Sequence, residues 1–333
     1  MKNILTGITP SGTPHIGNYI GAIKPAIEKS KSNNQNNYFY FLSDYHALVK
    51  CQDAKLVEQY SLEIAATWLA LGLDTSKAFF YRQSRIEETT QLSWILTCLA
   101  PKGLLNRAHA YKALVDENIS ANKDKDKNIT MGLFSYPILM AADILLFDTN
   151  LVPVGKDQVQ HIEIARDLAN YFNKTYEDIL VLPEVDLACD DVLSGLDGRK
   201  MSKSYKNTIE LFASEKELRK KIMKIATNSL APGEAKDYNT CSLFKIYKEF
   251  ASENEIEEIK KAYEEGIAWG EMKNILFEKI NQTLSGAREK YKYFIENKHE
   301  VENILEAGEE KTRKIAKEKL DTIKYALGLR AFH

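Results

Sequence analysis

Short apolar runs alternate with longer segments of helical spacing over the first two-thirds of the chain. Apolar runs bounded by turn residues predict strands, and apolar residues at every third or fourth position predict helices. Strands are predicted at 4–8, 38–42, 79–81 and 151–154, and helices at 15–27, 56–71, 92–99, 138–147 and 161–172. Pro25 is expected to kink the first helix because proline has no N–H group. The alternation predicts an α/β fold with a parallel sheet covered by helices.

The pattern changes after residue 206. Long charged segments with helical spacing follow at 215–226, 256–263, 272–294 and 304–327. We therefore expect a first domain at 1–206 and a helical second domain at 207–333, with the last helix as a candidate to pack back on the first domain. Basic residues cluster at 216–224 and 311–319, where they indicate either a solvated helix face or an RNA contact.

Composition narrows the class of protein. The 333 residues are 44% hydrophobic and 28% charged, as in ordinary globular proteins. The 45 basic and 47 acidic side chains nearly balance, so a nucleic-acid partner needs local basic patches. Four cysteines without a CxxC pair predict reduced thiols and no metal site. With neither a signal-peptide pattern nor an apolar run of membrane-spanning length, a cytoplasmic protein without a membrane partner is expected.

A first chemical motif follows the first predicted strand. Pro14–Asn18 places His15, Gly17 and Asn18 where a Gly/Pro-rich turn leads into a helix. Free N–H groups and the positive dipole end make a helix N-terminus suitable for phosphates. The alternative without a functional role is that His15 is a surface histidine near the start of a helix.

A second motif lies where the α/β part gives way to helices. Lys200–Ser204 combines two lysines with two hydroxyls in a short polar segment. Lysines on such a loop can neutralise the charge that develops during nucleotidyl transfer, whereas a solvated basic turn is the bland interpretation. Both motifs in this order indicate an enzyme that binds ATP and cleaves it.

The two motifs resemble the HIGH-like and KMSKS signatures of class I aminoacyl-tRNA synthetases. Other stretches are similar to tryptophanyl-tRNA synthetases of the bacterial type, namely Gly7–Gly12, Asn18–Ala22, Asp44–Ala47, Tyr136–Leu146, Val152–His161 and Ala326–Leu329. The resemblance extends over essentially the whole chain. It implies a Rossmann-like catalytic domain followed by a helical domain that binds the tRNA anticodon.

The resemblance also implies the reaction. Tryptophan attacks the α-phosphate of ATP, which carries Mg²⁺, to give tryptophanyl-adenylate, and the tryptophanyl group is then transferred to the 3′ end of tRNA(Trp). The carboxylate is already a nucleophile, so positioning and charge stabilisation are expected to carry the rate. A homodimer without a tightly bound metal or prosthetic group is implied as well.

The resemblance assigns site residues to matching positions. The catalytic residues would be His15, Asn18, Lys200 and Lys203. ATP would be bound by Thr9, Pro10, Ser11, His15, Gly17, Asn18, Gly155, Lys156, Asp157, Val192, Lys200, Met201, Ser202, Lys203 and Ser204. Tryptophan would be bound by Gly7, His46, Tyr136, Met140, Asp143, Val152 and Gln158.

Asp143 is the residue that would identify tryptophan. The indole ring has one polar group, an N–H donor, and Asp143 is the lone charge in an apolar predicted helix. A buried carboxylate without a partner is costly, so something should meet it. His46 fits either a pocket wall or a structural hydrogen bond.

Some positions depart from the family pattern. Thr9 stands where many relatives carry Gln, and Leu5 stands where a pocket wall is often Phe. The lysine that relatives direct at ATP has several candidates here and is left unassigned, namely Lys112, Lys123, Lys125 and Lys127.

Three alternatives remain open at this point. A tyrosyl-tRNA synthetase shares both motifs, but the helix that carries Asp143 does not resemble its signature. A small nucleotidylyltransferase would account for His15 but not for Lys200–Ser204. A non-catalytic RNA-binding paralogue would not need intact nucleotide motifs.

Overall fold

The computed structural model describes residues 1–32, 35–187 and 193–332. Five strands form one sheet, and they are β1 (Asn3–Ile8), β2 (Asn37–Leu42), β3 (Ala78–Arg82), β4 (Leu151–Val154) and β5 (Glu184–Leu187). Their order in the sheet is β3-β2-β1-β4-β5, and every neighbouring pair is parallel. Parallel strands need helical crossovers, so the α/β prediction is confirmed.

Helices cover both faces of this sheet. Those of the first part are α1 (Ile16–Asn18), α2 (Lys24–Lys31), α3 (Asp44–Ala47), α4 (Ala54–Ala70), α5 (Glu87–Leu99), α6 (Lys102–Leu105), α7 (His109–Ser120), α8 (Met131–Leu145) and α9 (Val159–Thr175). One core packs α5, α8 and α9 against the sheet through residues such as Leu96, Ile144 and Leu168. The other core packs α2 and α4 against the opposite face and includes Ile27 and Trp68.

The remaining helices are α10 (Glu215–Met223), α11 (Ser242–Tyr247), α12 (Glu253–Glu264), α13 (Trp269–Glu296) and α14 (Lys298–Ala326). Helices α10 to α13 share a third core, which also includes Ile16 and Met201 from the two chemical motifs, whereas α14 contributes to the two cores that pack against the sheet. This core joins the helical part to the motifs, and the domain boundary after residue 206 stays a prediction.

Helix α14 returns to the edge of the sheet at β3. A Cβ atom on Gly308 would lie 1.9 Å from the carbonyl oxygen of Phe80, so only glycine permits this approach. Arg82, at the end of β3, donates to Glu302 and Glu309 of α14 at 2.6–3.3 Å. The helix thereby covers an edge strand that would otherwise expose unpaired backbone groups.

Several elements were not predicted from the sequence. Strand β5 has an acid at Glu184 and at Asp186 and no apolar run, but it is hydrogen-bonded to β4 along its length. The predicted first helix is divided, because a π-helical turn over Tyr19–Ile23 precedes α2, where Pro25 lies in the first turn. Proline cannot supply the N–H that a continuous helix needs there. Helices α3, α6, α7 and α11 were also missed.

Within the described parts of the chain, no helix is long and apolar enough to cross a membrane.

Candidate functional site

The turn that carries His15 is tied to the segment that follows Lys200–Ser204. Ile16 donates its backbone N–H to the Ile209 carbonyl at 2.9 Å, and Leu211 donates to the Pro14 carbonyl at 3.0 Å. Within the turn, the His15 N–H donates to Asn18 Oδ1 at 3.1 Å. These bonds hold the two motifs of the sequence side by side.

Asn207 fixes the conformation of the Lys200–Ser204 segment. Its side chain is 2% exposed, and its Oδ1 accepts the Ser202 N–H at 2.8 Å. Its Nδ2 donates to the Lys200 carbonyl at 3.1 Å and to Asp197 Oδ1 at 2.7 Å. Together with Arg199, Asn207 lowers the pKa of Asp197 to about 2 by hydrogen bonding to the carboxylate. Sequence reasoning missed Asn207, whose only local signal is its place just after the motif.

Two glycines let the motifs approach each other. A Cβ atom on Gly17 would lie 2.9 Å from His15 Nδ1 and 3.5 Å from Met201 Sδ. Met201 itself is buried. A Cβ atom on Gly12 would lie 3.1 Å from Lys203 Nζ. A side chain at either position would push the Lys200–Ser204 segment or the His15 ring away.

Burial lowers the pKa values of two basic groups in this region. Burial, and then the positive charge of Lys203, lower the pKa of His15 to about 4. Burial also lowers the pKa of Lys203 to about 8, with Glu63 acting in the opposite direction. An anion placed between these groups would favour their protonated forms.

A cavity of about 530 Å³ opens between the two motifs. Ten of the predicted ATP-binding residues line it, and they are Ser11, His15, Gly17, Asn18, Gly155, Lys200, Met201, Ser202, Lys203 and Ser204. Pro10, Lys156 and Asp157 are not among its lining residues, and Thr9 lines the neighbouring cavity instead. Val192 lies outside the described residues.

The neighbouring cavity has a volume of about 470 Å³ and mostly apolar walls. Six of the predicted tryptophan-binding residues line it, and they are Gly7, His46, Tyr136, Met140, Val152 and Gln158. Phe41, which was not predicted, also lines it, and its ring lies 2.5 Å from the position of a Cβ atom on Gly7. Leu5 and Phe41 stand on adjacent strands, so the aromatic wall here comes from β2 rather than from β1.

Asp143 is not among the lining residues of this cavity but lies one hydrogen bond from it. His46 lines the cavity, and its Nε2 is 3.0 Å from Asp143 Oδ2. The fully buried Gln83 donates its Nε2 to both carboxylate oxygens at 2.8 Å. Burial raises the pKa of Asp143, and the bonds from His46 and Gln83 act against this rise. The costly buried carboxylate predicted from the sequence therefore has two partners within the protein.

Gln83 is held in a fixed orientation. Its Oε1 accepts the Tyr45 N–H at 3.1 Å, so the opposite side of its amide must present the NH₂ group to Asp143. Sequence reasoning missed Gln83 because it lies 60 positions from Asp143 and carries no local motif.

The two cavities adjoin, because Ser11 and Lys50 line both of them. Lys50 was not predicted as a site residue. None of the four candidate lysines in the 112–127 segment lines either cavity. The Thr9 hydroxyl is engaged elsewhere, at 2.9 Å from the Ser43 hydroxyl.

Comparison with known proteins identifies the family. A sequence profile described as tRNA synthetases class I (W and Y) matches residues 2–285. The Tryptophan--tRNA ligase of Pseudomonas aeruginosa is 52% identical over 332 residues, which are 98% of this chain and 74% of that relative. The chain belongs to the tryptophanyl-tRNA synthetases.

Solved structures of tryptophanyl-tRNA synthetases have the same fold. The enzyme from Campylobacter jejuni, complexed with ADP and tryptophan, is 45% identical, with a TM-score of 0.87 over 98% of this chain and 99% of that chain. The enzyme from Mycoplasma pneumoniae is 29% identical, with a TM-score of 0.81 over 99% of this chain and 98% of that chain. Membership of the tryptophanyl-tRNA synthetase family decides against the tyrosyl and nucleotidylyltransferase alternatives.

Proposed function

We propose that this chain activates L-tryptophan with ATP and transfers the activated amino acid to the 3′ end of tRNA(Trp). The observation that carries this proposal is the pair of adjoining cavities. One cavity is lined by both nucleotide motifs. The other has mostly apolar walls and is large enough for an indole ring. The two cavities meet at Ser11 and Lys50. A carboxylate from the second cavity would meet an α-phosphate from the first at this junction.

The reaction needs no nucleophile from the protein. A carboxylate oxygen of tryptophan attacks the α-phosphorus, the bond from that phosphorus to the bridging oxygen breaks, and pyrophosphate leaves with the electron pair. Lys200 and Lys203 are proposed to neutralise the charge on the departing pyrophosphate, since both line the nucleotide cavity. His15 and Asn18 are proposed to contact ATP from the turn after β1. Mg²⁺ would enter as the complex with ATP.

Tryptophan selection is proposed to depend on Asp143. Among the described residues, Oδ1 of Asp143 accepts only from Gln83, whereas Oδ2 accepts from Gln83 and His46. A carboxylate has about four lone-pair sites, so Oδ1 retains acceptor capacity for an indole N–H. Tyr136 and Gln158 line the same cavity and are proposed to contact the α-amino group.

The macromolecular partner would be tRNA(Trp), with its anticodon contacted by the helical part of the chain. The charged tRNA would then serve protein synthesis. A homodimer is proposed from the family resemblance, and it is supported by Trp94 on α5, which is 69% exposed. Cys51, Cys98 and Cys241 are free thiols, which supports a cytoplasmic location.

Amino-acid-dependent exchange between ATP and labelled pyrophosphate, screened over all twenty amino acids, tests the proposal. Exchange with tryptophan alone is the expected result. Preference for another amino acid, or no exchange with any, would contradict it. Charging of a tRNA(Trp) transcript tests the second step, and sedimentation tests the homodimer.

A further inference from the structure

Lys50 occupies a position that neither motif explains. Helix α3 ends at Ala47, and the turn that follows is closed by the Lys50 N–H, which donates to the Ala47 carbonyl at 3.0 Å. Lys50 thus lies in the turn that directly follows the helix bearing His46. His46 lines only the amino-acid cavity, whereas Lys50 also lines the nucleotide cavity.

The charge of Lys50 is free for a ligand. Among the described residues, Lys50 Nζ has neither an ion pair nor a hydrogen-bond partner, although Glu58 and Glu63 lie on the following helix α4. Many surface lysines are equally free. What distinguishes Lys50 is that it lines both cavities.

The other lysines of the site do not reach this junction. Lys200 and Lys203 line the nucleotide cavity but not the amino-acid cavity, and no lysine of the 112–127 segment lines either one. Lys50 is therefore the one cationic side chain, within the described part of the chain, that lines both.

The junction is also where the proposed reaction requires a positive charge. A carboxylate and an α-phosphate repel each other as they approach, and negative charge builds up on the phosphoryl oxygens in the transition state. A cation held at that point lowers the barrier more than it strengthens the binding of either substrate alone.

We propose that Lys50 is a catalytic residue that contacts both the tryptophan carboxylate and the α-phosphate of ATP at the junction of the two cavities. This inference rests on the proposed function. It assigns the contact with ATP to Lys50, in the turn after α3. None of the candidate lysines in the 112–127 segment lines either cavity.

The test compares Lys50→Met with Lys50→Arg in tryptophan-dependent pyrophosphate exchange by the full-length protein. Lys50→Met removes the charge and keeps an unbranched side chain, so kcat should fall by about 10²-fold. Lys50→Arg keeps the charge and should recover most of this loss. The matched control is Lys55→Met, an exposed lysine that lines neither cavity, and it should change kcat by less than about threefold.

A second measurement reports the carboxylate contact. Tryptamine has the indole ring and the amino group of tryptophan but no carboxylate. The wild type should bind tryptophan at least about tenfold more tightly than tryptamine, and Lys50→Met should lose most of this preference. A purely structural role would lower the melting temperature without changing the ratio.

Two results would overturn the proposal. One is an unchanged kcat and an unchanged tryptophan-to-tryptamine ratio in Lys50→Met, and the other is the same loss of rate in Lys112→Met but not in Lys50→Met. Should the wild type use another amino acid, the proposed function fails. The same variants, assayed with that amino acid and its decarboxylated amine, then decide the role of Lys50 separately.

Discussion

The side chain of Lys203 lies directly over Gly12, with its Nζ 3.1 Å from the position that a Cβ atom on Gly12 would take. Gly12 has a φ of +128°, a backbone conformation that residues with a Cβ atom rarely adopt. The turn after β1 and the Lys200–Ser204 segment thus meet through a residue without a side chain. The lysine thereby lies beside the turn where the ATP phosphates are proposed to bind.

Lys203→Ala should slow tryptophan-dependent pyrophosphate exchange by about 10²–10³-fold, because a lysine in this position acts mainly on charge that develops in the transition state. Tryptophan affinity, measured by fluorescence titration, should change little, since Lys203 does not line the amino-acid cavity. Retention of kcat within a few-fold would remove Lys203 from the transition-state role.

Asn207→Ala should loosen the Lys200–Ser204 segment. It removes one acceptor and two donor contacts of a buried amide, at a cost of about 1–3 kcal/mol for the groups left unsatisfied. Limited proteolysis should then cut near residues 199–206 in the variant and not in the wild type, and kcat should fall. An unchanged cleavage pattern together with wild-type kcat would show that the segment keeps its conformation without Asn207.

The sequence alone predicted the strands whose residues are continuously apolar. Strands of a parallel sheet are buried on both faces, and this burial requires an unbroken apolar run. The sequence was not sufficient for β5, whose pairing depends on β4 rather than on its own composition. The two motifs were recognisable because each is contiguous in the chain. Gln83, Lys50 and Phe41 were not, because each acquires its place only when distant segments pack together.

The pH dependence of stability should report the burial of His15. Its pKa is lowered from 6.5 to about 4 in the native state. Between these values the unfolded chain binds a proton that the native state does not, so the native state loses stability as pH falls from 6.5 to about 4. Above 6.5 the group contributes no pH dependence. The full difference is roughly 3 kcal/mol.

Urea unfolding across this acidic range provides the measurement, with His15→Gln as the variant that cannot be protonated. Its stability should fall less steeply towards low pH than that of the wild type. Lys203 does not contribute to the pH dependence in this acidic range. Its pKa is lowered to about 8, so the native and unfolded states differ in its protonation only at alkaline pH. The control is His299→Gln, at an exposed position near the start of α14. Parallel profiles for the wild type and His15→Gln would contradict the assignment.

Asp143 provides the sharpest test of substrate selection. If its carboxylate accepts the indole N–H, Asp143→Ala should weaken tryptophan use much more than ATP binding, because one charge-assisted hydrogen bond of about 1.5–3 kcal/mol is lost. Benzothiophenyl-alanine has the shape of tryptophan without the N–H group. The wild type should discriminate against it, and the alanine variant should discriminate much less.

The alternative is that Asp143 has a purely structural role. Asp143 also joins His46 of α3 to Gln83 after β3, and a carboxylate that only holds these two side chains would serve packing. Asp143→Ala would then lower the melting temperature and leave substrate preference unchanged. Exchange kinetics for both amino acids on both proteins, with a thermal melt of each, separate the two roles. Because the missing N–H is the decisive difference between the amino acids, equal losses for both would remove Asp143 from the specificity site.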